Sequence, residues 1–95
     1  MKLLNNDNQE INTIDLGIVK AGDKKEYEYV LQNETSRRVI EIKVEVANEE
    51  VEILEAPEQM SANSMATLRL AWKPSLTVKR GLKSLIKVTA SELYE

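Results

Sequence analysis

A chain of 95 residues can build one modest hydrophobic core but not two, because a domain of this size buries only about 60 to 65% of the surface that its unfolded form exposes. Cysteine and histidine are both absent, which excludes disulfides, thiolate metal sites and the most common general base. The formal net charge of −3 argues against non-specific binding to nucleic acid or to an anionic membrane, since both need a positive field.

The N-terminal segment, residues 1–10, is predicted to be a polar arm. Its sequence, MKLLNNDNQE, soon turns polar and is far short of the apolar run of about 7 to 15 residues in a signal peptide. No stretch of the chain approaches the ~20 apolar residues of a membrane span. We therefore expect cytoplasmic synthesis, with one domain over residues 11–95.

Beyond this arm, apolar and polar residues alternate with a period of two rather than 3.6, which predicts strands. A short strand is expected over residues 13–16. In the next strand, Tyr27, Tyr29 and Leu31 share one face and glutamates share the other. The clearest alternation comes third and predicts an inward face of Ile40, Ile42, Val44 and Val46.

Three further strands complete the prediction, the first a short one over residues 51–54. Leu68, Leu70 and Trp72 are predicted to face the core from the next strand, which ends at Pro74 because proline has no N–H to donate to a sheet. The inward face predicted for the last strand is Leu82, Ile86, Val88 and Ala90. Six strands separated by turns, without a convincing helix, predict an all-β fold, an antiparallel sandwich.

The connection between the two long strands reads NETSRR and has two interpretations. The tripeptide at residues 33–35 has the form of an N-glycosylation acceptor, and Arg37 and Arg38 have the form of a basic docking site. Strand-like alternation stops across this connection, and Asn and Ser suit turns because their side chains bond their own backbone. We predict that Asn33 is unmodified and builds the turn, and we keep Arg37 and Arg38 as candidate protein contacts.

The order of these motifs resembles the ASH, MSP and Hydin-like group of immunoglobulin-like domains. The segment IDLGIVKAGDKKEYEYVLQNET is similar to that group's opening, and MSANSMATLRLAWKPS is similar to its turn and the strand that closes on an aromatic, one residue and a proline. The matching positions are Ile14, Leu16, Gly17, Val19, Gly22, Leu31, Asn33, Thr35, Trp72, Pro74 and Gly81. The resemblance implies a single immunoglobulin-like sandwich of about six to seven strands and a non-catalytic role in protein interaction.

Other chemistries find little support in the residues. Without His and Cys, catalysis would depend on carboxylates, lysines and hydroxyls, and paired carboxylates need a cleft that so small a domain can scarcely form. Asn5, Asp7 and Glu10 offer oxygen ligands that calcium accepts, but the glycine and terminal glutamate of a calcium loop are not both present. We expect no enzyme, cofactor or metal, and no nucleic-acid, membrane or small-molecule ligand.

Two functions are left, and in both the chain binds protein, either a partner protein or further copies of itself by self-assembly. The first is a structural module that docks on a larger assembly. The specific hypothesis is a small bacteriophage virion protein, for capsid decoration, as cement, or in the tail or neck. It is favoured because the chain would be one whole domain with few residues outside it. The alternative is a soluble intracellular adaptor that binds one partner protein or peptide through a sheet edge or loop end.

The contact residues are predicted from topology. Alternate turns of an antiparallel fold lie together, so the connections 18–25, 47–50 and 75–81 should meet at one end of the sandwich. The candidate protein contacts at that end are Lys24, Lys25, Lys79 and Arg80. Arg37 and Arg38 are the candidates at the other end.

Overall fold

Seven strands in two antiparallel sheets make up the part of the chain, residues 1–76 and 81–93, that the computed structural model describes. They are β1 (Lys2–Leu4), β2 (Thr13–Gly17), β3 (Lys25–Asn33), β4 (Val39–Val46), β5 (Val51–Glu55), β6 (Ser64–Trp72) and β7 (Leu82–Glu92). One sheet has the order β1-β3-β6-β5 and the other has the order β2-β7-β4. The predicted all-β antiparallel sandwich is confirmed, and these residues include no helix.

The core lies between the two sheets and is centred on β3 and β6. These strands pair without a register shift, so the alternating faces predicted for both are confirmed. Leu31, Leu68 and Leu70 are 0% exposed, and Trp72 is 1% exposed. The opposing sheet contributes Ile86 and other apolar side chains to the same cluster.

A β-bulge interrupts the alternation of β4. The pairing of β4 with β7 shifts between Ile40 and Lys43, and Glu41 inside the bulge has a φ of 55°. The bulge leaves Val39 in the core, only 4% exposed, and takes Ile40 out of the core cluster. The inward position predicted for Ile40 is therefore wrong, whereas the remainder of β4 alternates as predicted.

The long strand β7 belongs to the core only in its middle. Ile86 and Val88 pack inward as predicted, but Leu82 is 37% exposed and Ala90 is exposed too. With 11 residues, β7 is longer than the nine-residue strands β3 and β6 of the opposing sheet. The apolar side chains near its two ends are therefore less buried than those in its middle.

The N-terminal segment, predicted as a polar arm, contains a strand of the sandwich. Leu3 of β1 lies opposite Leu31 of β3, and its carbonyl accepts a hydrogen bond of 2.8 Å from the N–H of Ile11. Leu3 and Leu4 are 5% and 8% exposed, because even a three-residue strand can bury two leucines against a long neighbour. A turn built on the Asn5 side chain then returns the chain toward β2.

Trp72 is predicted to be the side chain whose loss costs the most stability. Its indole is buried, and its Nε1 has no hydrogen-bond partner among the described residues. Trp72→Ala should lower the free energy of unfolding by about 3 to 5 kcal/mol, a large share of the total for a small domain. Trp72→Phe is the control, since it keeps most of the apolar volume and removes the unpaired donor. Equal denaturation midpoints for wild type and Trp72→Ala would contradict this role.

Tyr27 connects the two sheets, and its ionisation gives a prediction at alkaline pH. Its hydroxyl donates to the carbonyl of Leu16 at 2.5 Å. Burial, followed by the charges of Tyr29 and Asp15, raises the pKa of Tyr27 to about 12. The folded state therefore holds a proton that the unfolded state releases near pH 10, so stability should fall as the pH rises from about 10 to about 12.

Tyr27→Phe tests this connection. The variant should lose about 1 kcal/mol of stability at neutral pH, and its alkaline decline between pH 10 and 12 should be shallower. Denaturant titrations at several pH values measure both effects. Tyr29→Phe is the matched control at neutral pH, because the Tyr29 hydroxyl has no hydrogen bond within the described residues. An unchanged pH profile in Tyr27→Phe would exclude this role.

Candidate protein-contact surface

Three connections meet at one end of the sandwich, as the antiparallel topology predicted. The N–H of Gly22 donates to the carbonyl of Pro74 at 3.1 Å, which joins the β2–β3 and β6–β7 connections. The N–H of Ser75 donates to Oε2 of Glu50 at 2.7 Å, which adds the β4–β5 connection. We call this surface, formed by residues 18–24, 47–50 and 73–76 together with Leu82, the loop end.

Local turn chemistry shapes the loop end. Asp23 N–H donates to the carbonyl of Lys20 at 3.0 Å, closing a turn in which Gly22 has a φ of 84°. A positive φ at this turn position is the reason for glycine there. In the β4–β5 connection, Asn48 Oδ1 accepts from the N–H of Glu50 at 2.9 Å, and the Asn48 N–H donates to Ser84 Oγ at 3.1 Å. These bonds hold the connections in defined positions.

Apolar and basic side chains are exposed together at the loop end. Ile18, Leu76 and Leu82 are 63%, 79% and 37% exposed. Leu82 pairs with Gly17, and Ile18 is the next residue after Gly17. Ile18 and Leu82 are therefore close along the paired strands β2 and β7. The exposed lysines in or beside these connections are Lys20, Lys24, Lys25 and Lys73. Their acidic neighbours are Asp23, Glu49 and Glu50, the last of which is bonded to the Ser75 N–H.

The candidate cations predicted for this end have different surroundings. Lys24 is exposed in the turn before β3. Lys25 begins β3, and its Nζ lies 5.5 Å from the centroid of the Tyr27 ring. A Cβ at Gly17 would be 3.2 Å from the same Nζ, so the ammonium also lies close to β2. Lys79 and Arg80 lie outside the described residues.

Arg37 and Arg38 lie at the opposite end of the sandwich, beyond the last residue of β3. Arg38 Nη1 donates to Oε1 of Gln59 at 3.1 Å, and the Arg38 carbonyl accepts from the N–H of Leu93 at 2.9 Å. The carbonyl of Arg37 accepts from the Asn33 side chain. The candidate contacts therefore divide between two separate surfaces.

Asn33 organises this opposite end from a fully buried position. Its Oδ1 accepts from the N–H and the hydroxyl of Thr35, at 3.1 and 2.7 Å, which confirms the predicted turn. Its Nδ2 donates to the carbonyls of Arg37 and Ser61, both at 2.9 Å. The bond to Ser61 was not predicted, because no local pattern shows that residues 28 positions apart meet. A side-chain nitrogen that is buried and bonded twice is inaccessible to a glycan in the folded protein.

Of the oxygen-bearing side chains near the N-terminus, Asn5 has a structural role. Asn5 Oδ1 accepts from the N–H groups of Asp7 and Gln9, at 2.9 and 3.0 Å. Within residues 1–76 and 81–93, no three or more Asp and Glu side chains come together as a metal site. The same residues contain no helix long and apolar enough to cross a membrane.

Comparisons with protein-family models, with curated proteins and with solved structures found no match to this chain. The class of the protein therefore rests on its strand pairing alone. The described residues form a seven-stranded antiparallel β-sandwich. The resemblance to the ASH, MSP and Hydin-like group stays a prediction.

Asn33→Ala is predicted to destabilise the protein by about 2 to 3 kcal/mol, because it removes a buried amide that serves two connections at once. A turn residue with local bonds only would cost about 1 kcal/mol. Ser36→Ala, an exposed change in the same connection, is the control and should leave thermal unfolding unchanged. A hexose-bearing intact mass in native material would contradict the buried, unmodified state of Asn33.

Proposed function

We propose that this protein is a non-catalytic interaction module that docks on a larger protein assembly through the loop end. One observation carries the proposal: the connections that meet at this end carry three exposed apolar side chains and several exposed lysines, on a chain whose net charge is −3. Exposed apolar groups with a charged rim are typical of protein-binding surfaces.

The two kinds of side chain would contribute differently to binding. Ile18, Leu76 and Leu82 would supply the apolar centre, whose removal from water stabilises a complex. The lysines around them would orient an acidic partner and speed its association. Because hydrogen bonds already join the three connections, little conformational entropy would be lost on docking.

The partner that fits this surface is a protein face with an apolar centre and surrounding carboxylates. The outside of a bacteriophage capsid or tail is the specific hypothesis for such a face, and a single intracellular partner protein is the alternative. Both would use the same surface. Mass spectrometry of purified particles distinguishes them, since only a virion protein would remain with the particle.

A double charge reversal, Lys20→Glu with Lys24→Glu, tests the loop end. Both lysines are exposed, so the melting temperature should change little. The association rate with the assembly identified by pull-down from the native source should fall about tenfold at low ionic strength. The dependence of that rate on salt should also weaken.

The matched control is Arg37→Glu with Arg38→Glu, which changes the net charge by the same amount at the opposite end. If only the arginine pair reduced binding, docking would belong to the opposite end and the proposal would be wrong. If both pairs of substitutions lowered the association rate equally, the effect would come from overall charge rather than from a defined surface. That result would also contradict the proposal.

A further inference from the structure

One side of β7 has a backbone edge that no strand of the described chain covers. On that side β2 pairs with residues 82–85 only, whereas on the other side β4 pairs with β7 as far as Glu92. The last contact on the β2 side is the Ile86 N–H, which donates to the carbonyl of Asn12 at 3.0 Å. We call this side of residues 87–91 the open edge.

Two residues direct their backbone hydrogen-bonding groups to the open edge. The Leu85 carbonyl accepts from the Ala47 N–H on the β4 side, whereas the Ile86 N–H donates to the β2 side. Groups of successive strand residues point to alternate sides, so the N–H and C=O groups of Val88 and Ala90 point to the open edge. These groups have no hydrogen-bond partner in the described part of the chain. An added strand would therefore find two donors and two acceptors here.

Several other strand edges carry protection that the open edge lacks. Ile11 covers the edge of β1, and Met60 exchanges two hydrogen bonds with the start of β4. The edge strand β5 has glutamate side chains and a register shift. The open edge has neither proline nor a bulge of its own, and its residues Thr89, Ala90 and Ser91 are small and uncharged. Such an edge is a template for another strand.

The side chains along the open edge indicate what an added strand has to present. Val88 packs against the core but is only half-buried, and Ala90, which has the same phase, is exposed. Apolar side chains opposite these two residues would cover them. On the outer face Lys87 is exposed and makes no ion pair within the described residues, although Glu45 of β4 lies opposite it. A carboxylate on the added strand opposite Lys87 would form a favourable cross-strand pair.

A second copy of β7 does not fit the open edge. Two-fold pairing of Val88 with Ala90 of a second copy would carry that copy's strand past the open edge. Its Glu92 would then lie opposite Ile86, where Asn12 already sits. The occupant is therefore a segment that pairs only with residues 87–91 and ends or turns away before β2.

We propose that the open edge binds an extended segment of a partner protein, which adds to β7 as an antiparallel strand. Both neighbours of β7 are antiparallel to it, and in such pairing the residues opposite Val88 and Ala90 each exchange two backbone hydrogen bonds. The segment has apolar side chains at these two alternate positions and a carboxylate opposite Lys87. The loop end lies at the start of β7, away from the open edge, so the inference does not depend on the proposed docking function.

Titration of the protein with the peptide TVTVE, acetylated and amidated at its ends, tests the proposal. Antiparallel pairing places its valines opposite Ala90 and Val88 and its glutamate opposite Lys87. Two-dimensional NMR should show saturable shifts of the Val88 and Ala90 amides, and their hydrogen exchange should slow. N-methylation of the two valine nitrogens, which face β7, should weaken binding about tenfold, because it removes two hydrogen bonds. N-methylation of the two threonine nitrogens, which face away from β7, is the matched control and should leave binding unchanged.

A charge swap at Lys87 tests the register of the added strand. Lys87 is exposed, so Lys87→Glu should fold normally. At low ionic strength the variant should bind TVTVE about threefold more weakly than the wild type does, and it should prefer the peptide TVTVK. Lys43→Glu is the matched control. It makes the same charge change on the exposed face of β4, which β7 separates from the open edge, and it should leave the preference for TVTVE unchanged.

Three results would overturn the proposal. The first is a TVTVE peptide that does not bind, or that binds equally well with its valine nitrogens methylated. The second is an unchanged peptide preference in Lys87→Glu, which would place the peptide elsewhere. The third is a dimer in sedimentation velocity without peptide, with Val88 and Ala90 amides that exchange more slowly as the protein concentration rises. That result would assign the open edge to a second copy of the chain.

Discussion

The register between β3 and β6 is the constraint on which the rest of the structure depends. The two strands pair over their full length without a shift, from Lys25 opposite Trp72 to Asn33 opposite Ser64. This register directs the leucines of both strands into the core, where other elements bury them. The register also sets which residues lie at each end of the sandwich. Lys25 and Trp72 adjoin the loop end, and Asn33 begins the opposite end.

The faces of the long central strands could be predicted because alternation with period two is a local property. The bulge in β4 could not be, since a positive φ at Glu41, a residue that is not glycine, has no sequence signature. β1 was missed for a different reason. Its three residues become a strand only by pairing with a neighbour that is distant in sequence, and Leu3 is buried through that pairing.

The candidate site was predictable to the extent that it follows from topology. Antiparallel strands bring alternate connections together, and the bonds of Gly22 and Ser75 show the three connections in contact. The apolar part of this surface was not predicted. Leu82 was expected to face inward, but it is 37% exposed at the first position of β7.

If the protein docks through the loop end, as proposed, binding should protect the backbone amides there. Hydrogen-exchange footprinting of the protein, alone and bound to the assembly that pull-down identifies, measures this protection. We expect slower exchange on binding in residues 18–24 and 73–76, with little change around Arg37 and Arg38. Slower exchange confined to residues 34–38, with the loop end unchanged, would contradict it.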